Sequence, residues 1–203
     1  IVKAADSCYI AYIESQNISV KRCTLYPVVT VLETVIFNIK KIDASIVRKL
    51  KLISDALKET PFKVTAAHAY VDTTESDYYL ESKRPTDGLN FKQLYGPREM
   101  SLSLGKFSLR YPVTGFSQIN ESQIHNLIKA ASRMLSLSKE DHFLDLYCGY
   151  GLFSFALGEA AKDVLGVEWE GPSIDCAKAS AKHLKKSYRF IAGKIDEMFV
   201  QTR

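Results

Sequence analysis

The sequence predicts an α/β fold in its second half, preceded by a smaller α+β domain. After residue 113, short apolar segments alternate with helical patterns in the order helix, strand, helix, strand, helix, strand. That alternation predicts parallel strands joined by helical crossovers. The first of these strands runs into a glycine-containing loop that opens a helix. Open α/β sheets bind nucleotide-type ligands at such a place.

Composition places the chain among ordinary globular proteins. Its 203 residues are 46% hydrophobic and 25% charged, which is enough apolar material for a real core. The sequence contains no apolar run of about 18 residues, so no membrane span is predicted. It begins with no basic segment followed by an apolar one, so no signal peptide is predicted. The chain starts at Ile1 and not at Met, so we expect it to lie inside a longer natural chain. The net charge of +4 permits a nucleic-acid partner without demanding one.

Four cysteines are widely scattered, at Cys8, Cys23, Cys148 and Cys176. They form no Cys-x-x-Cys pair and have no histidine partners at zinc-ligand spacing, so no zinc site is predicted. Free thiols in a reducing compartment are the expectation, which predicts a cytoplasmic protein.

The first half, residues 1–112, reads as a mixture of strands and helices. Residues 7–13 and 18–26 predict two strands around a turn at 14–17. The apolar run at 28–42 is too long for one strand, and we favour helix for its middle. A clearer helix is predicted from Ala44 to Glu59, with Asp43 as its N-cap. Its apolar stripe consists of Ile46, Leu50, Ile53 and Leu57.

The remainder of that half predicts a hairpin from 64–71 and 78–81, and one further strand at 103–111. Aromatic and basic side chains interleave there, as they do on RNA-facing surfaces. An ordinary half-buried hairpin with charged loop residues explains them equally well. These residues are Tyr78, Tyr79, Lys83, Arg84, Tyr95 and Arg98.

The second half, residues 113–203, predicts three strands and three helices. Asn120 is the expected N-cap of a helix whose apolar stripe includes Ile124, Leu127, Ile128, Ala131 and Leu135. The expected strands are 143–146, 163–168 and 188–192, and the following helices are 152–161 and 171–184. Because a doubly wound sheet usually has about five to seven strands, this half predicts only the amino-terminal part of such a domain.

The loop after the first strand carries the signal for the ligand. Asp145 ends the strand four residues before Gly149, and Gly151 follows, a spacing typical of S-adenosylmethionine-dependent methyltransferases. A nicotinamide-dinucleotide fold would place a third glycine where this chain has Ser154. Glu168 ends the next strand, where a carboxylate accepts ribose hydroxyls in either family. S-adenosylmethionine is therefore the favoured cofactor, and a dinucleotide oxidoreductase is the alternative.

Each loop residue has an expected role. Gly149 and Gly151 let the backbone approach the ligand without a Cβ clash. Asp145 orders the loop and faces the ligand's ammonium group through water, and Tyr147 flanks the loop entrance. Cys148 is not expected to be a nucleophile, because attack from the cofactor loop would displace the cofactor.

Two segments together carry a resemblance to a known family. Phe-Ser-Gln-Ile-Asn at 116–120 and Leu-Asp-Leu-Tyr-Cys-Gly-Tyr-Gly-Leu-Phe at 144–153 resemble the bacterial RNA uracil-5-methyltransferases, which make 5-methyluridine in tRNA and 23S ribosomal RNA. Val-Leu-Gly-Val-Glu at 164–168 continues the match. The resemblance covers about residues 107–200. It extends more loosely to 20–27, which looks like the 23S rRNA branch.

The resemblance implies a set of site residues. Gln118, Tyr147, Leu152 (through its backbone) and Glu168 should contact S-adenosylmethionine, and the partner should be RNA. In iron–sulfur members of the family a cysteine at the place of Cys23 is a cluster ligand, but its three partners lie upstream and are absent here. No metal is therefore expected in this chain, and the full-length protein is expected to be a monomer.

The resemblance also implies a mechanism. A cysteine thiolate adds to uracil C6, and C5 then attacks the sulfonium methyl. A carboxylate removes the C5 proton, and the thiolate leaves C6 by elimination. In the family that cysteine and that base follow the third strand, and neither segment occurs in these 203 residues. The chain alone is therefore expected to be inactive. A tRNA enzyme and a non-catalytic RNA-binding module remain alternatives to the 23S rRNA enzyme.

Overall fold

The computed structural model describes residues 2–5, 8–11, 20–26, 33–59, 64–71, 91–113, 115–118, 120–169 and 171–195. The chain forms two compact units. The first comprises residues 1–98 with 119–121, and the second comprises 99–118 with 122–203. The domain division at 112 and 113 stays a prediction. None of the helices in the described ranges is long and apolar enough to cross a membrane.

The first unit is built on a six-stranded sheet whose strands lie in chain order. Neighbouring strands are antiparallel except β4 and β5, which are parallel. The helix α1, Ala44–Lys58, joins these two strands, as a parallel pair requires. The strands are β1 Val2–Ala5, β2 Cys8–Ala11, β3 Val20–Tyr26, β4 Glu33–Ile39, β5 Val64–Val71 and β6 Phe91–Tyr95.

The N-cap and the apolar stripe predicted for α1 are confirmed. Asp43 Oδ1 accepts the backbone N–H of Ile46 at 2.9 Å, which satisfies a donor that has no partner inside the helix. The four stripe residues pack against one face of β4 and β5, where Phe37 and Ala69 are fully buried. The apolar spacing of three and four residues therefore sets which side of α1 meets the sheet.

Two of the predicted elements are wrong. The middle of 28–42 is not helix, because Glu33–Ile39 is the strand β4. All residues from 34 to 39 are buried, and a strand covered on both faces reads as a continuous apolar run, without alternation. The single strand predicted at 103–111 is instead a hairpin, in which Leu104 pairs with Phe107. Gly105, at φ +56°, makes the turn.

Other predictions for the first half stand as follows. Two predicted strands at 7–13 and 18–26 are confirmed by β2 and β3, and the strand at 64–71 is confirmed by β5. The turn at 14–17 and the strand at 78–81 lie outside the described residues. The described antiparallel neighbour of β5 is β6.

The second unit contains the hairpin and a parallel sheet with the strand order β11-β10-β9. Its parallel strands and their crossovers are confirmed. The helix predicted at 152–161 is shorter than expected and ends in a 3-10 turn at Gly158–Ala160. The elements are β7 Glu99–Leu104, β8 Phe107–Pro112, α2 Glu121–Leu135, β9 His142–Leu146, α3 Leu152–Leu157, β10 Asp163–Glu168, α4 Pro172–His183 and β11 Arg189–Ala192.

The core of the parallel sheet explains how its carboxyl edge is presented. Phe143, Leu157 and Val164 form a buried cluster against which Ile128 of α2 packs. Because β9, β10 and β11 are parallel, their carboxyl ends meet at one edge, from which the loops after Leu146, Glu168 and Ala192 emerge. Two members of the predicted α2 stripe, Leu127 and Leu135, are exposed.

The cap of α1 yields the first prediction. Asp43→Ala leaves the N–H of Ile46 without its acceptor and should lower the free energy of unfolding by about 0.5–2 kcal/mol. Asp43→Asn retains an acceptor at that position and should change it by a few tenths of a kcal/mol at most. Urea denaturation followed by circular dichroism measures both. Equal losses in the two variants would contradict the capping role.

Candidate functional site

The loop between β9 and α3 is shaped by three residues with positive φ. Tyr147 has φ +58°, Gly149 +57° and Gly151 +87°. A left-handed backbone at a bulky residue such as Tyr147 is uncommon and is found mainly at functional sites. A Cβ built on Gly149 would meet no atom within 4 Å, whereas one on Gly151 would lie 2.8 Å from the Phe155 ring. Gly149 thus borders open space, and Gly151 permits close packing beneath the loop.

Glu168 holds the loop from the end of β10. Its Oε2 accepts the N–H of Gly149 at 2.8 Å, and its Oε1 accepts the N–H of Trp169 at 2.8 Å. The backbone N–H of Cys148 also donates to the carbonyl of Val167, at 3.0 Å. One buried carboxylate therefore fixes the loop of one strand to the end of its neighbour.

Asp145 supplies the cap that α3 cannot supply for itself. The N-cap of α3 is Gly151, which has no side chain to bind the free N–H groups of the first turn. Asp145 Oδ2 accepts the N–H of Ser154 at 2.9 Å and its hydroxyl at 2.6 Å. The negative charge also lies at the helix end where the backbone dipoles are positive.

The two acids give the site a negative character. Burial raises the pKa of the Asp145 carboxyl, the two hydrogen bonds from Ser154 oppose that rise, and the Glu168 charge adds to it. Two buried acids beside open space suit a ligand that carries positive charge.

Cys148 lies in this field and is a poor candidate for a nucleophile. Burial raises the pKa of its thiol, and the charges of Asp145 and Glu168 raise it further. A reactive cysteine needs the opposite surroundings, because the thiolate is the attacking form. The geometry supports its exclusion from catalysis.

Comparison with known proteins identifies the family. A family model described as tRNA (uracil-5-)-methyltransferase matches residues 64–188, more than half of the chain. The chain belongs to the RNA uracil-5-methyltransferase family. The members of this family depend on S-adenosylmethionine, so membership favours the methyl donor over a nicotinamide dinucleotide as the ligand of the glycine loop.

Curated relatives of the chain are 23S rRNA methyltransferases. The chain is 31% identical over 130 residues to the 23S rRNA (uracil(1939)-C(5))-methyltransferase RlmD of Cupriavidus pinatubonensis, covering 63% of the chain and 26% of that protein. It is 29% identical over 146 residues to RlmD of Cupriavidus necator, covering 71% and 31%. The chain thus spans about a quarter to a third of the length of these relatives.

A solved structure shares the fold. The tRNA (uracil-54, C5)-methyltransferase of Pyrococcus abyssi, determined with S-adenosyl-L-homocysteine, aligns with a TM-score of 0.61 at 18% identity. The alignment covers 85% of this chain and 38% of that one. The Rossmann-like methyltransferase fold predicted for the second half is thereby confirmed as part of a mixed α/β chain.

Most of the predicted site residues of the family loop lie together. Glu168 accepts the N–H of Gly149, Asp145 accepts the N–H of Ser154 in α3, and Leu152 is buried as the first residue of that helix. Tyr147 is exposed at the loop entrance. Their contacts with a cofactor remain predictions.

Gln118 lies on the segment that follows β8. It is half-buried, and it comes three residues after Gly115. A Cβ on Gly115 would lie 2.6 Å from the hydroxyl of Ser173, in the first turn of α4. Because α4 follows the carboxyl end of β10, the segment with Gln118 passes the same edge of the sheet as the loop.

Two site residues were missed by sequence reasoning. From the sequence, Ser154 was interpreted only as a departure from the dinucleotide pattern. It lies in the first turn after a glycine N-cap, where a side chain from outside the helix has to accept the free N–H groups. Trp169, the single tryptophan of the chain, is half-exposed directly after Glu168. Its position at the carboxyl end of a strand was the available signal.

The predicted aromatic and basic set is only partly described. Residues 72–90, with four of its six members, lie outside the described residues. Tyr95 is a packing residue, because its hydroxyl donates to the carbonyl of Val64 at 3.1 Å and the Lys58 ammonium lies 4.3 Å from its ring centre. Burial raises the pKa of Tyr95 to about 12.

The described side chains include no group of three or more His, Cys, Asp or Glu that could hold a metal ion. Cys23 lies in β3, and its side chain is outside the described structure. Its role as a cluster ligand in the full protein stays a prediction.

The buried charge of Asp145 yields the second prediction. A carboxyl whose pKa is raised by folding destabilises the folded state at pH values above that pKa. Asp145→Asn removes the charge but keeps an oxygen that can accept from Ser154, so it should be at least as stable as wild type at pH 7. The difference should shrink as pH falls through the raised pKa, because the wild-type carboxyl then becomes neutral.

Urea denaturation between pH 4 and pH 8 checks this prediction. Asp145→Ala is the matched control, because it removes the charge and the helix cap together and should be less stable than Asp145→Asn at every pH. If the two variants were equally destabilised at pH 7, the cap would not depend on the Asp145 side chain.

Proposed function

We propose that this chain is the methyl-donor-binding part of an RNA uracil-5-methyltransferase that acts on 23S ribosomal RNA in the cytoplasm. The observation that carries the proposal is the pair of buried acids, Asp145 and Glu168, on the two sides of a loop with open space beside Gly149. Residues 1–112 form the RNA-facing part, and residues 113–203 form the first half of the donor-binding domain.

The loop residues fit S-adenosylmethionine, whose two ends have different chemistry. Glu168, at the end of β10, accepts hydrogen bonds from the ribose hydroxyls, in the place where α/β folds hold a ribose. Asp145 faces the ammonium group of the amino-acid end. Gly149 and Gly151 permit close approach of the backbone, Tyr147 covers the entrance, and Gln118 and the Leu152 backbone complete the site. The bound donor supplies an electrophilic methyl group.

Methyl transfer needs a nucleophile that neither of the two cysteines with described side chains provides. Burial is the main cause that raises the pKa of both cysteines, Cys148 and Cys176. The pKa of Cys176 rises to about 12. Neither is suited to attack C6 of a uracil. We therefore infer that these 203 residues bind the donor without transferring its methyl group, and that the nucleophile and the base belong to other parts of the protein.

The choice of RNA rests on the relatives. Two curated relatives act on U1939 of 23S rRNA by name, whereas the family model and the similar structure carry the names of tRNA enzymes. Sequence identity of about 30% to the former, against 18% to the latter structure, supports 23S rRNA. A tRNA substrate is the second candidate.

The third prediction concerns donor binding. S-adenosylhomocysteine should change the fluorescence of Trp169, the only tryptophan and the neighbour of Glu168, and NADH should not bind. Glu168→Ala should weaken the binding of S-adenosylhomocysteine by about 1–3 kcal/mol, the scale of hydrogen bonds to a charged group.

Glu159→Ala is the control for that substitution. Glu159 precedes β10 at the opposite edge of the sheet and is half-exposed, where it pairs with Lys106 and Lys186. Glu159→Ala should leave the affinity for S-adenosylhomocysteine unchanged in a calorimetric titration. NADH binding in place of S-adenosylhomocysteine would refute the proposed function, and an equal effect of both variants would refute the ribose role of Glu168.

The fourth prediction separates the enzyme from its RNA-binding alternative. With radiolabelled S-adenosylmethionine, the full-length protein should methylate a 23S rRNA fragment, and the 203-residue chain should not methylate it although it binds the donor. Methylation of tRNA alone would favour the second candidate. Transfer by the chain itself would refute the inference that the nucleophile lies elsewhere, and RNA binding without donor binding would indicate a non-catalytic module.

A further inference from the structure

We infer that Ser154 is a positioning residue of the donor site, whose hydroxyl holds the Asp145 carboxylate so that its second oxygen faces the ligand's ammonium group. The inference rests on the proposed function and deepens it. It assigns a specific task to a residue that the sequence pattern marks only as a departure from the dinucleotide fold.

The geometry fixes one oxygen of Asp145 twice. Ser154 is fully buried in the first turn of α3, and Asp145 is buried at the end of β9. The N–H of Ser154 at 2.9 Å and its hydroxyl at 2.6 Å both donate to Oδ2, and Oδ1 receives neither bond. With Oδ2 held by two donors and Cα held by the strand, the direction of Oδ1 is determined as well.

The hydroxyl bond is not needed to begin the helix. Any residue other than proline at position 154 would offer its backbone N–H to Asp145, and that bond alone satisfies the cap. The hydroxyl adds a second, shorter bond to an ionised acceptor, a class of hydrogen bond that is stronger than a neutral one. The hydroxyl of Ser154 therefore stabilises the carboxylate of Asp145 more than it stabilises the start of the helix.

The second bond favours the charged form of Asp145. Two titratable groups interact electrostatically with Asp145. The charge of Glu168, at the end of β10, raises the pKa of Asp145, and the charge of Asp145 raises the pKa of Cys148 in the loop. Burial and the Glu168 charge raise the pKa of Asp145, and the two Ser154 bonds lower it. Removal of the hydroxyl should leave Asp145 more easily protonated, and a protonated carboxyl attracts an ammonium group less.

The two acids then divide the ligand between them. If Asp145 serves the amino-acid end and Glu168 the ribose, loss of the Ser154 hydroxyl should affect only ligands that carry the ammonium group. S-adenosylhomocysteine carries it, and 5′-methylthioadenosine has the same nucleoside and sulfur without it. A merely structural role of Ser154 would weaken both ligands alike.

The test compares Ser154→Ala with wild type and with Ser180→Ala, a buried serine of α4 that serves as the matched control. Calorimetry between pH 5.5 and pH 8 measures the affinity of each protein for both ligands. Ser154→Ala should bind S-adenosylhomocysteine about tenfold more weakly, the scale of one hydrogen bond, and 5′-methylthioadenosine within about twofold of wild type. Its affinity for S-adenosylhomocysteine should also begin to fall at a higher pH than in wild type.

Ser154→Thr keeps a hydroxyl and should restore the wild-type pH profile. If its added methyl group prevents folding, as judged by circular dichroism, the ligand pair and the Ser154→Ala profile decide alone. Equal loss of both ligands, no loss of either, or an unmoved pH profile would overturn the inference. Absence of S-adenosylhomocysteine binding in wild type would instead refute the proposed function, so the two failures are distinguishable.

Discussion

A helix that begins at a glycine has no side chain of its own to bind the free N–H groups of its first turn. Helix α3 begins in this way at Gly151, because the loop before it needs a left-handed residue with little bulk at that point. Asp145 meets the need from the end of the preceding strand. The conformation of the loop, the start of α3 and the burial of a carboxylate therefore follow from one constraint.

Glu168 extends the same arrangement to the neighbouring strand. Its carboxylate binds the N–H of Gly149 across the edge of the sheet, while its own strand is paired in register with β9. Glu168 thus holds the loop itself, and Asp145 holds the first turn of the helix that follows the loop. Both acids are buried, and their mutual repulsion is a cost that a cationic ligand would relieve.

Sequence reasoning succeeded where one physical cause dominates. The three-and-four spacing of Ile46 and Leu50 sets the packed face of α1, and the alternation of strand and helix after residue 113 sets the parallel sheet. It failed at Glu33–Ile39, because burial on both faces removes the alternation that distinguishes a strand. The turn at Gly105 was missed because its flanking residues look equally strand-like.

The same limit applied at the site. The spacing of Asp145, Gly149, Gly151 and Glu168 predicts a donor loop, since each residue type has a local reason, and the roles of these residues stay predictions. The two bonds of Ser154 to Asp145 join residues nine apart, and no periodicity in the sequence reports them. Such contacts depend on how a strand end and a helix start meet in three dimensions.

The negative loop also bears on the proposed separation of donor binding from nucleophilic attack. A carboxylate pair suits a ligand with an ammonium and a sulfonium charge, but the same pair raises the pKa of the thiol of Cys148. A thiolate requires the reverse field, with positive charge or a helix amino terminus nearby. One loop does not suit both demands, and the proposed function therefore assigns the attack on uracil to a cysteine beyond the influence of Asp145 and Glu168.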